Sequence, residues 1–274
     1  MTIRSKINAA VNIILGPSFR RAVARQKSRT RERELRATVH QPDGKERRLP
    51  AIHLNGDFER SPLTKALLVA YERAIGGTVD LPAFVRGIEG MSGQRYRDLI
   101  NTLIGLLPDA RYLEVGSWAG STATAALSGN MLTAVCIDNW SEFGGPRDAF
   151  LANTGRVITT AHKFRLIESD FRKVDYGDLG SFNVFLFDGP HSEEDQYDGV
   201  VIAAPALDNE FILIVDDWNW RAGRLGTFRA IRDCNWSIEV AIEIRTTLDE
   251  SHAKVSDSAS DWHNGYFIAV VNKR

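Results

Sequence analysis

The sequence predicts an α/β protein with a mostly parallel sheet of seven strands, helices on both faces of the sheet and an antiparallel strand at its C-terminal end. Five apolar runs alternate with helical segments, and this pattern indicates a parallel sheet that is covered on both faces. The last two strand-like runs have only a polar connection between them, which places an antiparallel strand in the sheet. The seven runs are RYLEVG, LTAVCID, FRLIESD, FNVFLFD, FILIVDD, WSIEVAIEIRTT and GYFIAVVNKR.

Length and composition favour a soluble globular protein. The chain has 274 residues, of which 43% are hydrophobic, and this is enough for a substantial core in one or two domains. Cys136 and Cys234 lie outside any CxxC or Cys/His spacing, which indicates a reducing cytoplasm and argues against a zinc site or a disulfide framework. The longest apolar run near the N-terminus, AAVNIILG, is too short to span a bilayer. We therefore predict a soluble, cytoplasmic protein.

Residues 1–48 form a basic arm that differs from the rest of the chain. The arm carries 13 Lys or Arg against 4 Asp or Glu, whereas the remainder carries 21 against 31. Apolar residues from Ile3 to Ile14 recur at helical spacing and predict an amphipathic helix over residues 2–22. Such an arm can pack against the core or against a second copy in a homo-oligomer. Residues 2–36 can instead lie on an anionic membrane surface as a peripheral contact.

The rest of the chain divides into a predicted helical lid and a predicted core. Ser61 is the expected N-cap of the helix in SPLTKALLVAYERAIGG, and MSGQRYRDLINTLIGLLP predicts a second helix that ends at Pro108. We predict that these two helices make residues 49–107 a lid over a ligand site. Residues 108–274 are the predicted core, and the ligand crevice of an open α/β sheet lies at the carboxyl ends of its strands.

A glycine-containing turn follows the first strand of the core, in YLEVGSWAGSTATAAL. Gly116 and Gly120 permit a tight turn and a close approach of the backbone, and Ser121 or Thr122 can start the following helix. The pattern begins at Glu114 and reads ExGxxxG. It is neither the GxGxxG of dinucleotide enzymes nor a P-loop with its Lys-Ser/Thr. A pyrophosphate is therefore not the expected ligand.

Acidic residues at the ends of the next two strands favour an adenosine ligand. Asp138 ends the second strand, 24 residues beyond Glu114, where an acid can accept both hydroxyls of a ribose. Asp170 and its neighbours end the third strand and suit an adenine edge and face. An adenosine without a diphosphate, beside an acid in the glycine turn, indicates S-adenosylmethionine (SAM), whose ammonium group Glu114 can reach through water. The residues predicted to bind SAM are Glu114, Gly116, Ser117, Gly120, Ser121, Thr122, Asp138, Asn139, Trp140, Ser169, Asp170 and Phe171.

The chain from about residue 92 to residue 272 resembles the class I SAM-dependent methyltransferases, which have a Rossmann-like fold. The resemblance rests on the ExGxxxG pattern, on the acid that ends the second strand and on the final antiparallel pair. Taken singly, each glycine can be a bare turn, and each acid can be a helix cap or a surface charge. Because these glycines and acids occur together and in register with the predicted strands, separate roles as turns, caps and surface charges explain them poorly. The resemblance implies SAM as the cofactor and methyl transfer as the reaction.

The residues after the fourth strand favour a small methyl acceptor over nucleic acid. Methyltransferases that act on the amino groups of DNA or RNA bases usually carry an N/D-P-P-Y/F motif there, whereas this chain reads Asp-Gly-Pro-His at 188–191. Beyond the arm the net charge is −10, which does not provide the basic surface that phosphate binding requires. We expect the acceptor to be a hydroxyl on a saccharide or another small metabolite.

The same segment, together with the Asp-Asp pair after the fifth strand, resembles metal-assisted O-methyltransferases that act on catechols and on sugar hydroxyls of natural products. This resemblance implies that Asp188, Asp216 and Asp217 hold a divalent cation, which would be Mg²⁺ or Mn²⁺. It also places His191 where the catechol enzymes have a lysine base. A hard cation with oxygen ligands lowers the pKa of a bound hydroxyl, and a histidine can accept the proton near neutral pH.

Several of these residues also have alternative roles. Asp216 and Asp217 can cap the helix that begins near Trp220, and His191 can cap or pack at a helix start. Family members without a metal leave Asp188 or His191 as the unaided base, and a catalytically inactive protein that binds SAM as a scaffold is a further alternative. Glu193, Glu194 and Asp195 are expected to form a solvated first helical turn. Trp218 and Trp220 can either pack in the core or contact the acceptor. Trp262–Gly265 can form a turn or a segment that closes over the acceptor.

Overall fold

The chain divides into two units, residues 1–49 and residues 50–274. The computed structural model describes residues 39–40, 46–47, 50–255 and 259–273. In the first unit, strand β1 (Val39–His40) pairs with strand β2 (Glu46–Arg47) in antiparallel fashion. The predicted amphipathic helix, and the membrane contact predicted for residues 2–36, lie outside the described residues and stay predictions.

One sheet of eight strands organises the second unit, and all its strands except β10 and β3 run parallel to one another. The strands are β3 (Ala51–Gly56), β4 (Ala110–Val115), β5 (Leu132–Asp138), β6 (Lys163–Glu168), β7 (Phe182–Phe187), β8 (Leu207–Val215), β9 (Ser237–Arg245) and β10 (Tyr266–Asn272). Their order in the sheet is β3-β9-β10-β8-β7-β4-β5-β6. Strand β10 is antiparallel to both of its neighbours, β8 and β9, which confirms the predicted antiparallel strand.

The predicted count of seven strands was wrong by one. The additional strand is β3, which lies at the edge of the sheet and pairs only with β9 among the described strands. Its sequence, AIHLNG, lacks the continuous apolar run of a central strand because three of its six residues, His53, Leu54 and Asn55, are exposed. The region predicted as a helical lid therefore contains a sheet strand as well as helices.

Seven α-helices connect and cover the described strands of this unit. They are α1 (Pro62–Gly76), α2 (Ala83–Arg86), α3 (Gln94–Leu106), α4 (Ser121–Leu127), α5 (Arg147–Gly155), α6 (Glu193–Ala203) and α7 (Arg221–Asp233). Helix α1 begins as predicted at Ser61, whose hydroxyl accepts a hydrogen bond from the Thr64 amide, and it ends at Gly77 in the left-handed conformation, with φ of 65°. None of the described helices is both long and apolar enough to cross a bilayer.

Helices cover both faces of the sheet, as predicted. Because side chains alternate along a strand, each central strand contributes to two cores. On one face, helices α1, α3 and α4 pack on a core that includes Tyr112, Val184 and Ile212. On the other face, helices α6 and α7 pack on a core that includes Phe185 and Leu213. The role of α1 and α3 as a lid over the ligand site stays a prediction.

A fully buried arginine on α3 organises the loop between α2 and α3. The Arg97 side chain donates to the hydroxyl of Ser92 at 3.0 Å and to the carbonyl oxygens of Val85, Arg86 and Ile88 at 2.9–3.1 Å. A buried guanidinium is costly unless its donors are bonded, and the end of α2 and the loop after it supply the acceptors. The loop and the arginine therefore depend on each other.

We expect Arg97→Met to lower the free energy of unfolding by about 3–5 kcal/mol, because the loop carbonyl groups would stay buried without their donors. Urea denaturation followed by circular dichroism measures this loss. Arg232→Met is the matched control, since Arg232 is mostly exposed and pairs only with its neighbour Asp233 among the described residues. That control should change the free energy of unfolding by less than about 1 kcal/mol, and an equal loss in both variants would contradict the structural role of Arg97.

Candidate active site

The candidate site lies where β4, β7 and β8 end, at the carboxyl edge of the sheet. The Asp188 amide, just after β7, donates to the Val115 carbonyl at the end of β4, at 2.8 Å. Gly116 follows with φ of 83°, and a Cβ at this position would overlap the carbonyl oxygen of Asp188. The glycine turn and the loop after β7 are thus in direct contact. Gly116 is needed both for its conformation and for this close approach.

Asp138, at the end of β5, holds the glycine turn in place. Its carboxylate accepts three backbone N–H bonds, from Ser117 and Trp118 at 2.8 Å and from Trp140 at 2.7 Å. A carboxylate offers about four acceptor positions, so these bonds leave it about one. Sequence reasoning missed this anchoring role because backbone donors have no residue signature. The predicted contact of Asp138 with a ribose stays a prediction.

Three aromatic residues around Asp138 have left-handed backbones. Trp118, Trp140 and Phe143 have φ values of 44°, 50° and 49°, a region that bulky residues rarely occupy. The Trp118 indole N–H donates to the Phe143 carbonyl at 2.9 Å, and the Trp140 indole N–H donates to the Trp118 carbonyl at 3.3 Å. Predicted residue Asn139 accepts a bond from the Ser141 amide. These bonds and those to Asp138 hold the strained segment in one conformation.

The residues that follow β6 are mostly engaged in the local fold. The Asp170 carboxylate accepts the Arg172 amide and so caps a short 3-10 helix, Phe171–Lys173. The Phe171 ring is buried, with its centroid 5.4 Å from that of Phe187 in an edge-to-face contact. The Ser169 amide donates to the Asp138 carbonyl at 3.1 Å. The structure therefore places this predicted adenine segment beside the end of β5.

The start of helix α4 is also engaged by the protein. Predicted residues Ser121 and Thr122 are both buried, and Gly120 has φ of 79° just before them. The Ser121 hydroxyl lies 2.8 Å from the hydroxyl of Ser92, in the loop that Arg97 organises. Sequence reasoning missed Ser92, which the loop before α3 brings to this helix start.

Glu114 is a buried carboxyl inside the site. The Tyr112 hydroxyl donates to one of its oxygens, its Oε1 is buried, and the Ser117 hydroxyl also interacts with this carboxyl group. Burial raises the pKa of Glu114 to about 7, and the negative charge of Asp138 adds to this rise. A cationic group beside Oε1 would satisfy this oxygen and favour the ionised form. The predicted interaction with an ammonium group fits this arrangement.

Three aspartates cluster after β7 and β8. Desolvation raises the pKa of Asp188 well above its ordinary value, and the charges of Asp216, Asp217 and Glu114 raise it further. Burial likewise raises the pKa of Asp216, whose Oδ1 accepts the Asp217 amide at 2.6 Å. Neither Asp216 nor Asp217 caps helix α7, because Trp220 is the N-cap and no side chain accepts a bond there.

His191 and Asp217 form a direct pair, with 2.6 Å between Nε2 of the histidine and Oδ2 of the aspartate. Burial alone would raise the pKa of Asp217, but His191, with Asn264 and His263, lowers this pKa below its usual range. Burial alone would lower the pKa of His191, but Asp217, with the charges of Glu142 and Asp195, raises it. The pair is therefore mutually stabilised, which a capping role for His191 would not require.

Three ligand atoms in this cluster have a spacing that suits a metal ion. One oxygen of Asp188, one oxygen of Asp217 and one nitrogen of His191 all lie within 4.8 Å of one another. The group differs from the predicted set, because it contains His191 in place of Asp216. A divalent cation there would also reduce the repulsion between the carboxylates. The role of Asp216 as a ligand stays a prediction.

Sequence reasoning missed Asn264, which reaches Asp217 from the turn before β10. Its Nδ2 donates to Asp217 Oδ1 at 2.7 Å and lies 3.2 Å from His252 Nε2 and 3.3 Å from His263 Nε2. The segment Trp262–Gly265 does form the expected turn. The available signal was an Asn-Gly turn before a strand, and it gave no indication of a partner 47 residues away.

The two tryptophans after Asp217 have different environments. Trp218 is fully buried and stacks on Phe267 with 4.5 Å between ring centroids, so it is a core residue. Trp220 is partly exposed, and its ring lies edge-to-face with His191, at 5.2 Å, and with His252, at 5.8 Å. Of the two, only Trp220 can line an acceptor pocket beside His191.

The acidic run after His191 begins helix α6. The Ser192 hydroxyl accepts a bond from the Asp195 amide, and the Asp195 carboxylate accepts the Ser192 amide in return. Glu193 and Glu194 both pair with Arg229 on helix α7. The prediction of an ordinary first helical turn is confirmed, with these ion pairs in addition.

An open groove of about 590 Å³ lies beside the glycine turn, between α2 and α5. Trp118, Phe84 and Pro146 contribute to its lining, and the Arg156 guanidinium lies 3.9 Å above the centre of the Phe84 ring. The aspartates and His191 do not line this groove. It is thus a space adjacent to the glycine turn and separate from the His191–Asp217 pair.

One protein-family model and several solved structures are similar to this chain. Residues 113–218 match a family model described as a methyltransferase domain, and no curated protein matches the sequence. TrmN from Thermus thermophilus is 17% identical, with a TM-score of 0.43 over 65% of this chain and 49% of that chain. Cofactor-bound Rv0187 from MTB is 15% identical, with a TM-score of 0.47 over 78% of this chain and 91% of that chain.

A third solved structure is the O-methyltransferase TomG from Streptomyces achromogenes, involved in tomaymycin synthesis, in complex with SAM. It is 15% identical, with a TM-score of 0.44 over 77% of this chain and 90% of that chain. The chain spans about half the length of TrmN and nine tenths of TomG. The match to the methyltransferase-domain model runs from β4 to the segment after β8, so it includes the glycine turn, Asp138, Asp188, His191 and Asp217.

Proposed function

We propose that the protein transfers the methyl group of SAM to a hydroxyl of a saccharide or another small metabolite. The observation that carries this proposal is the His191–Asp217 pair, with 2.6 Å between Nε2 and Oδ2, directly after β7 and β8. A hydroxyl must lose its proton as it attacks a methyl group, and an oriented histidine is a suitable acceptor for that proton.

The glycine turn supports SAM as the methyl donor. Glu114 offers a buried carboxylate oxygen for the ammonium group, and the buried Ser117 hydroxyl lies in the same turn. Asp138 keeps the backbone of the turn in a fixed conformation. When bound, SAM supplies an electrophilic methyl group on a sulfonium, to which the acceptor oxygen forms its new bond. The protein has to place that oxygen in line with the methyl group and to remove its proton.

His191 is the proposed base. Its Nε2 faces Asp217, so its Nδ1 is the nitrogen that accepts the proton of the acceptor hydroxyl. Asp217 stabilises the imidazolium that forms, because its carboxylate is already bonded to the ring. A positioned general base contributes roughly 10²–10⁴-fold to the rate. Trp220 borders the same ring and would form one wall of the acceptor pocket.

A divalent cation is the proposed assistant, with Mg²⁺ or Mn²⁺ as the candidates. Asp188 and Asp217 would hold it, because one oxygen of each lies within 4.8 Å of the other, and His191 beside them would keep its role as the base. When bound, the cation would lower the pKa of the acceptor hydroxyl. The second candidate is a metal-independent methyltransferase in which His191 acts as the unaided base, and the preformed pair with Asp217 favours it. Asp188 as the unaided base is less suited, because it lies among other carboxylates.

We also propose a cytoplasmic location from the cysteine content, and a homo-oligomeric or membrane-surface contact from the basic arm. Both proposals rest on sequence alone, since the arm from residue 2 to residue 36 lies outside the described residues. The unit that the structure describes carries the methyl-transfer proposal by itself.

Formation of S-adenosylhomocysteine in a screen of sugars and phenols tests the proposed function. In the metal-assisted case, EDTA abolishes turnover and Mg²⁺ or Mn²⁺ restores it. In the metal-independent case, EDTA has no effect, whereas His191→Gln lowers kcat by about 10²–10⁴-fold. Asp233→Asn, at the end of α7, is the control and should keep kcat within a few-fold, because Asp233 is exposed and pairs with Arg232. No product with any hydroxylated acceptor, despite SAM binding, would support a non-catalytic scaffold and contradict the proposal.

Glu114 should give the ligand-free protein a distinctive pH dependence. Its pKa of about 7 in the folded state lies above the ordinary value of 4.5. The protonated Glu114 side chain therefore contributes to the free energy of unfolding. This contribution is fully present below pH 4.5 and is lost as the pH rises through 7, where the buried carboxyl ionises. This loss should be about 3 kcal/mol. Glu114→Gln should remove this component, so the variant should gain stability relative to the wild type between pH 5 and pH 8. Urea denaturation at each pH measures the difference.

The affinity for SAM should rise with pH over the range in which the stability of the ligand-free protein falls. An ammonium group favours ionised Glu114, so the wild type should bind SAM more tightly as the pH rises through 7, and Glu114→Gln should bind more weakly without this dependence. Glu168→Gln is the matched control, because Glu168 is exposed and pairs with Arg147. It should not alter the pH dependence of SAM affinity measured by calorimetry. Parallel pH profiles in the wild type and Glu114→Gln would rule out the proposed contact.

A further inference from the structure

Two strained turns interlock beside the His191–Asp217 pair. Asp217 has φ of 56° in the turn after β8, and His263 has φ of 42° in the turn before β10. Both values lie in the left-handed region, which non-glycine residues rarely occupy. The Trp218 amide donates to the Gly265 carbonyl at 3.2 Å, and the Asn219 amide donates to the Asn264 carbonyl at 2.9 Å. The two turns are therefore joined through the backbone before any side chain is considered.

The Asn264 side chain adds a bond to the carboxylate itself. It is 1% exposed, and its Nδ2 donates to Asp217 Oδ1 at 2.7 Å. Its Oδ1 accepts the Ala253 amide at 2.9 Å, which fixes the orientation of the side-chain amide. Asp217 Oδ2 faces His191 Nε2 at 2.6 Å, so the two oxygens of Asp217 have separate partners.

We propose that Asn264 is a positioning residue that holds the Asp217 carboxylate with its Oδ2 directed at His191. With Oδ1 held by Asn264, the carboxylate can present only Oδ2 to His191, and this oxygen accepts the Nε2 proton. The neutral imidazole then carries its lone pair on Nδ1, the nitrogen that must accept the hydroxyl proton. This inference rests on the proposed function, in which His191 is the base.

An amide at position 264 suits this role better than the other common polar side chains. The amide group donates to the Asp217 carboxylate and accepts from the Ala253 amide at the same time. An aspartate could accept from Ala253 but could not donate to Asp217. The amide has a second hydrogen, and the Nε2 atoms of His252 and His263 lie 3.2 and 3.3 Å from the amide nitrogen. Asn264 thereby links His252, in the connection between β9 and β10, to the Asp217 carboxylate.

Asn264→Asp is the direct test, because it keeps the shape of the side chain and replaces the donor by a second carboxylate that repels Asp217. The first readout is the tautomer of His191 by long-range ¹H–¹⁵N NMR, on metal-free protein without acceptor, at a pH where the ring is neutral. We expect wild-type His191 to carry its proton on Nε2 and the variant to show a mixture of tautomers. The second readout is kcat, which should fall about 10- to 100-fold, while the Kd for SAM stays within a few-fold.

Thr246→Val is the matched control for a merely structural effect. The Thr246 hydroxyl donates to the His263 carbonyl at 2.7 Å and so supports the same turn without contacting Asp217. We expect it to lose stability while the His191 tautomer and kcat stay as in the wild type. A wild-type tautomer in Asn264→Asp would overturn the proposal, and so would an equal effect of both variants on tautomer and kcat. Absence of turnover in the wild type would count against the proposed function alone, because the tautomer is measured without acceptor.

Discussion

The antiparallel direction of β10 is the constraint on which the candidate site depends. Because β10 runs opposite to β8, with Phe267 paired to Val215, the beginning of β10 meets the end of β8. The turn before β10 therefore arrives at the same edge of the sheet as Asp217. A parallel strand in this position would place its preceding turn at the far edge, and Asn264 would have no contact with the aspartate. The arrangement of the His191–Asp217 pair thus follows from topology as much as from the residues.

Carboxyl groups accumulate at this edge, and each described group has a different compensation. Glu114 is bonded by Tyr112, Asp216 by the backbone amide of Asp217, and Asp217 by His191 and Asn264. For Asp188, desolvation and the charges of its acidic neighbours all raise the pKa well above its ordinary value. Strongly perturbed acids in a cleft are a feature of functional sites. A fold alone does not require so many acids together.

Much of the fold and part of the site could be predicted from the sequence. Apolar runs and turn residues identify β4 to β8, five of the six parallel strands, and the position of Asp188 and His191 after β7 follows from them. Strand β3 was missed because its half-exposed residues carry no core pattern. Asn264 was missed because its partner lies 47 residues away. The different roles of Asp216 and Asp217 depend on a left-handed φ of 56° at Asp217, which turns the two adjacent side chains to different partners and which no pattern of residue types encodes.

The three amide bonds to Asp138 have a consequence for how a ligand would be received. Residues in rarely populated conformations normally relax unless their surroundings fix them, and here one carboxylate fixes Trp118 and Trp140 together. These bonds restrict the loop without a contribution from a ligand, so association would lose little conformational entropy there. A ligand would therefore bind at this loop without a change in the backbone conformation of Trp118 and Trp140. It also means that the two tryptophan positions and Asp138 are coupled, so that a change at one alters the geometry available to the others.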